Sequence, residues 1–169
     1  MGLYLIGNYP MQTTAAPSKV AVSTIKTLMQ IKPGATQVAQ IIEWGISGDA
    51  SAAATPGVVE LIETDVAATV TAYVANDFTK YDNEALLAGD PTTNMFSVGT
   101  SASGYTATVE GSITAVRNLA GAQLVAPTSQ FIIQMPLARE PIIQPGKFAR
   151  IRATFASSVN VLCYMIIRV

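Results

Sequence analysis

At 169 residues, with half of them apolar, 12% charged and a formal net charge of −1, the chain has the size of one domain and lacks the clustered basic residues that a phosphate backbone demands. Histidine is absent and cysteine occurs once, at Cys163, which excludes an internal disulfide, leaves any nucleophile without an imidazole base and all but removes zinc and copper sites. No apolar run reaches the roughly 18 residues of a spanning helix, and Met1–Ile6 lacks the basic region and cleavage site of a secretion signal, so no nucleic acid, membrane or cofactor is expected.

From the N-terminus, Leu3–Ile6 has strand composition. In Gly7–Ser18, Tyr9-Pro10 and Ala16-Pro17 interrupt any regular period. This predicts an extended N-terminal arm over residues 1–18 that lies across a neighbour, and a single β-sandwich domain over residues 19–169. Tyr9, Pro10 and Met11 are the arm's candidate contact residues by position and composition. Deleting Met1–Ser18 is then expected to leave a folded protein with weakened attachment.

Strands follow at Val20–Ile31 and Gln37–Ser47, with Trp44 as core and Gly45 beside it as a bulge or close approach. Gly48–Gly57 reads as a long exposed loop. Val58–Glu63 and Thr69–Ala75 are the next strands, before a loop from Asn76 to Asn94. That loop holds the one helix signal, Asn83–Ala88, capped by Asp82 or Asn83 and closed by Gly89. Strands are then expected at Met95–Val98, Tyr105–Val109, Ile113–Arg117, Gln130–Leu137, Phe148–Phe155 and Val159–Arg168, with a turn segment over Thr100–Gly104. Pro33-Gly34 and Pro145-Gly146 each suit the centre of a type II turn.

In Phe148–Phe155, period two turns Ala149, Ile151, Ala153 and Phe155 inward and Arg150 and Arg152 outward. Lys147, Arg150 and Arg152 accordingly read as a solvent-facing edge. The last strand sets Val161, Cys163, Met165 and Ile167 against Leu162, Tyr164, Ile166 and Arg168, with both faces apolar, which predicts a central strand or one covered by a neighbouring subunit. Cys163 reads as a buried hydrophobe. Many short strands and almost no helix predict an all-β antiparallel sandwich. A mean hydropathy of +0.37 adds that a partner subunit covers some apolar surface.

Chemistry-bearing patterns are thin. Glu43, Glu60 and Glu63 form a carboxylate cluster only if their strands pair, as for acid and base work on a glycosidic bond, with Trp44 as a stacking residue. Asp49, Asp65, Asp77, Asp82 and Asp90 lie in or beside loops without the spacing of a calcium loop. Gly99–Gly104 lacks the Lys-Ser/Thr ending of a phosphate loop. The chain is not expected to be an enzyme.

Ile31-Lys32-Pro33-Gly34, Ile41–Ser47, Thr55–Leu61 and the closing strands resemble the jelly-roll head decoration, or cement, proteins of tailed bacteriophages, over roughly Lys26 to Val169. None of these phrases is a catalytic signature. The resemblance implies a jelly-roll-like sandwich, a homotrimer on the outside of a phage head, the major capsid protein as partner, and a virion protein made in the host cytoplasm that stabilises the expanded shell. A second expectation, from a different class, is a receptor- or glycan-binding module of a tail fibre or baseplate, using the Gly48–Gly57 and Asn76–Asn94 loops with Phe78 and Tyr81.

Overall fold

The computed structural model describes residues 2–11, 14–51, 53–81, 95–111 and 115–169. In chain order the strands are β1 (Leu3–Gly7), β2 (Val20–Val22), β3 (Lys26–Ile31), β4 (Ala39–Asp49), β5 (Gly57–Thr64), β6 (Thr69–Ala72), β7 (Phe78–Lys80), β8 (Gly104–Val109), β9 (Ala115–Val125), β10 (Gln130–Gln134), β11 (Ile142–Ile143), β12 (Phe148–Thr154) and β13 (Val159–Arg168). Among the described residues the only helical element is a 3-10 turn at Ala75–Asp77, and no helix is long and apolar enough to cross a membrane. The expected helix at Asn83–Ala88 lies outside the described residues.

Two antiparallel sheets pack face to face. One has seven strands, ordered β10-β4-β13-β1-β7, with β11 also on β4 and β2 also on β13; the other has six, ordered β6-β8-β3-β12-β5-β9. Taken without the short additions, β1-β13-β4-β10 faces β3-β12-β5-β9. The chain path through these eight strands is that of a jelly roll. Residues between β5 and β9 form an insertion whose strands extend both sheets: β7 beyond β1, and β8 and β6 beyond β3.

The core lies between the sheets and follows the period-two pattern. Val159, Val161, Cys163, Met165 and Ile167 of β13 point into it, as do Ala149, Ile151 and Ala153 of β12 and Phe155 beyond its end. Trp44 is wholly buried, with Phe131 at 5.2 Å between ring centroids. Phe78 and Phe96 stack at 4.8 Å, and Tyr4 meets Phe96 edge-on. Each such ring contributes about 1.5–3 kcal/mol by leaving water. Backbone bonds between Gly2 and Val169, of 2.8 and 3.0 Å, extend the β1–β13 ladder past both strands.

Several expectations need correction. Leu3–Gly7 is no part of an arm: β1 pairs with β13 on one side and β7 on the other, and buries Tyr4 and Ile6. The sandwich therefore includes residues before position 19, and deleting Met1–Ser18 removes a core strand. Val20–Ile31 is not one strand, because the chain leaves β2 in one sheet and enters β3 in the other. Met95–Val98 contributes only an isolated bridge, Pro33 to Phe96. Short strands β7 and β11 were not expected from composition.

β9 runs eight residues past Arg117, because Asn118–Gly121 makes a bulge within the strand. There Asn118 Oδ1 accepts the N–H groups of Ala120 and Gly121, and Gly121 has φ of 74°. Of the two Pro-Gly corners, Gly146 has φ of 80° and Lys147 N–H donates to Gln144 C=O, as a type II turn requires. Gly34 has no positive φ, and its turn closes instead from Gln37 N–H to Gly34 C=O.

The basic group at β12 is not a solvent-facing edge. β12 lies inside the sheet, between β3 and β5. Arg150 points away from the core, as period two demands, yet is fully buried; it donates to Val66 C=O and Glu110 C=O. Arg152 pairs with Glu60 and Lys147 with Asp65.

Candidate functional site

The outward face of the seven-stranded sheet is built from alternate residues of its strands. β13 turns Leu162, Tyr164 and Ile166 outward, opposite the core residues Cys163 and Met165. Register then places Ser47, Gly45 and Glu43 of β4 beside them on one side, and Gly7 and Leu5 of β1 beside Tyr164 and Ile166 on the other. Ile132 of β10 completes the row across Gly45. Period two places Arg168 of β13 and Gln130 and Gln134 of β10 on the same face, so its polar groups include these three, Glu43, Ser47 and the tyrosine hydroxyl.

Two glycines seat the aromatic rings. A Cβ at Gly45 would lie 2.6 Å from the ring of Tyr164, and a Cβ at Gly7 would lie 2.4 Å from the ring of Tyr9. Any larger residue at either position would lift its ring off the sheet. Gly7 and Gly45 are the two cross-strand partners of Tyr164, so Tyr164 and Tyr9 lie side by side above one row of the sheet. The close approach expected at Gly45 is thus observed.

Tyr164 donates its hydroxyl to Glu43 Oε1 at 2.5 Å. Burial, and next the bond to Glu43, push the Tyr164 phenol well above its ordinary value. Burial likewise raises Tyr9. Leu5, Tyr9, Glu43, Tyr81, Tyr164 and Ile166 line one shallow hollow on this face. Tyr9, Ser47, Gln130, Leu162 and Tyr164 line a second, next to it. A third lies along the chain leaving β1, between Tyr9, Pro10, Met11, Pro17 and Thr79.

All three expected contact residues therefore border this face. Tyr9 is half-buried over Gly7, whereas Pro10 is exposed and Met11 is 53% exposed. The segment is held to its own domain: Met11 N–H donates to Asp77 Oδ1, and Asp77 Oδ2 also accepts Val74 N–H. Sequence reasoning offered Tyr81 only as part of a recognition loop and missed Leu5, Tyr164 and Ile166 as site residues. The signal for two of them was the doubly apolar period of β13.

The other candidates separate. Glu43 lies in the seven-stranded sheet, while Glu60 and Glu63 lie in β5 of the other. Glu60 is paired with Arg152 and Glu63 with Arg117, so the three carboxylates form no cluster. Asp49 pairs with Lys19 and Asp65 with Lys147, and Asp82 and Asp90 lie outside the described residues. Among the described residues no three Asp, Glu or Cys groups are arranged to hold a metal. Phe78, expected at a recognition loop, is wholly buried, which leaves Tyr81 beside Tyr9 and Tyr164 on the sheet face. Cys163 is buried, and burial raises its thiol far above the ordinary value. No family model, curated protein or solved structure matches the chain.

Proposed function

We propose that this chain is a structural virion protein that seats as a homotrimer on the outer surface of a tailed-phage capsid, binds the major capsid protein and fastens the expanded shell. The observation that carries the reading is the outward face of the seven-stranded sheet, where Leu5, Tyr9, Leu162, Tyr164 and Ile132 present a broad, half-exposed apolar surface on a jelly roll. A surface of rigid aromatic and aliphatic groups with few charges has the composition of an interface centre. Repetition supplies the rest: three linked copies raise one another's effective concentration at the shell, so each needs only a modest contact.

The test is the copy number of this chain in purified particles, by quantitative mass spectrometry against the major shell protein, joined to sedimentation of the free protein. A ratio near one per shell subunit and a free mass three times the 17.7 kDa chain support the reading. A few tens of copies or fewer would move the protein to the tail. Absence from particles would overturn the virion assignment.

A further inference from the structure

Glu43 is the one acidic residue among those lining the hollow of Leu5, Tyr9, Tyr81, Tyr164 and Ile166. Most other carboxylates in the described structure have a basic partner or backbone N–H groups: Asp49, Glu60, Glu63 and Asp65 are ion-paired, and Asp77 and Glu110 accept backbone N–H groups. Glu43 has the Tyr164 hydroxyl on Oε1 and forms no ion pair among the described residues, although Arg168 stands on the same face of β13. A carboxylate oxygen is thus left without a cationic partner among apolar and aromatic side chains, with the uncharged Gln134 as its cross-strand neighbour on β10. Three tyrosines beside it supply the π surface that attracts a cation.

We infer that this hollow is the seat of an arginine side chain projecting from the protein on which the chain docks. Arginine fits better than lysine for a physical reason. Its planar guanidinium stacks on aromatic surface and is weakly hydrated, so it gives up water at an apolar interface more readily than a compact ammonium. It also carries several donors, one of which can meet Glu43 while the plane lies against a tyrosine. Tyr164 plays two parts: its ring lines the hollow, and its hydroxyl fixes the orientation of Glu43. Tyr81, 58% exposed at the sheet margin, contributes aromatic surface without supporting the fold.

The inference rests on the sheet face proposed above as the docking surface, but its test needs no particle. The full chain is titrated with N-acetyl-arginine amide, N-acetyl-lysine amide and the neutral N-acetyl-citrulline amide, and the tyrosine ring resonances are followed by NMR. The arginine probe is expected to shift Tyr9, Tyr81 and Tyr164 saturably, the lysine probe more weakly, and the citrulline probe not at all. Glu43→Gln keeps the acceptor for Tyr164 and should weaken arginine binding by about tenfold. Tyr81→Ala should weaken it by about two- to fivefold.

No shift with the arginine probe, equal binding of citrulline, or equal binding of lysine would each overturn the assignment. So would unchanged affinity in Glu43→Gln. These outcomes are independent of the copy number in particles: a virion protein without this seat and a non-virion protein with it give opposite results in the two experiments.

Discussion

The outward face of the six-stranded sheet carries Thr27, Gln30 and Arg150 and buries all three beneath its own chain, whereas the outward face of the seven-stranded sheet carries Leu5, Ile132, Leu162 and Tyr164 and leaves them half open. On the covered face most polar groups close within the molecule, Arg150 Nε being an exception. Gln30 donates to Ser101 and Ala102 carbonyls and accepts Ala68 N–H, Thr27 is held by both oxygens of Glu110, and Arg150 reaches Val66 and Glu110. The polar layer is inside and the apolar one outside. Among the described residues, the insertion between β5 and β9 supplies cover to the six-stranded sheet and leaves the other outward face half open.

The two faces also titrate in opposite senses. Burial lowers the Arg150 guanidinium from its ordinary 12.5 to about 10, with Glu110 pulling the other way. The fold therefore carries that charge at a cost, which is relieved as pH rises from about 10 to 12.5. Tyr9 and Tyr164 on the open face are raised, as are Tyr73, Tyr105 and Cys163. These acids stay protonated in the fold while their unfolded counterparts ionise. Their contribution is full below about pH 9 and is lost as pH climbs past the ordinary thiol and phenol values. Five groups against one decide the sign: stability should hold from pH 7 to about 9 and then collapse, as followed by circular dichroism. A Tyr164→Phe variant should lose less over the same alkaline range.

Substitution should separate the faces further. Arg150→Ala empties a buried site and unpairs two carbonyls, for an expected loss of about 3–5 kcal/mol in urea unfolding. Arg150→Met refills the volume and should lose about 1–3 kcal/mol. Gly45→Val, which drives the Tyr164 ring off the sheet, should cost about 1–3 kcal/mol and shift the Tyr164 resonances. Ile132→Ser and Tyr81→Ser lie at 48% and 58% exposed positions on the open face, so their stability change should stay within about 0.5 kcal/mol. The same two variants together should weaken attachment to particles by at least about tenfold. A large stability loss there, or none at Arg150, would erase the distinction between the faces.

Direction was legible in the sequence, and coverage was not. Period two places the β12 and β13 side chains on their correct sides, because alternation is a local property of extended backbone. Whether an outward side chain meets water depends on segments far along the chain: Val66 and Glu110 lie 84 and 40 residues from the Arg150 they bury. The same limit explains the site. Tyr9 and Gly45 stood out locally, through a proline neighbour and a strand glycine, while Tyr81 and Glu43 join them only through the pairing of β1, β13, β4 and β7. Glu43 read as one of three strand glutamates, and nothing near it in sequence distinguished it from Glu60.

The β1–β13 pairing also sets a timetable. Leu3–Gly7 is made long before Val159–Arg168, the strand that flanks it on the inner side of the sheet order. At roughly 5–20 residues per second of synthesis, Tyr4 and Ile6 wait for about ten seconds or longer before that partner leaves the ribosome. β7 is available earlier but offers only three residues. The seven-stranded sheet therefore closes only after translation has passed β13, and the nascent chain carries an unsealed apolar strand until then. Slow, late-closing folding of this kind favours chaperone engagement while the chain is being made, and it makes high-level expression at elevated temperature the condition most prone to yield aggregates.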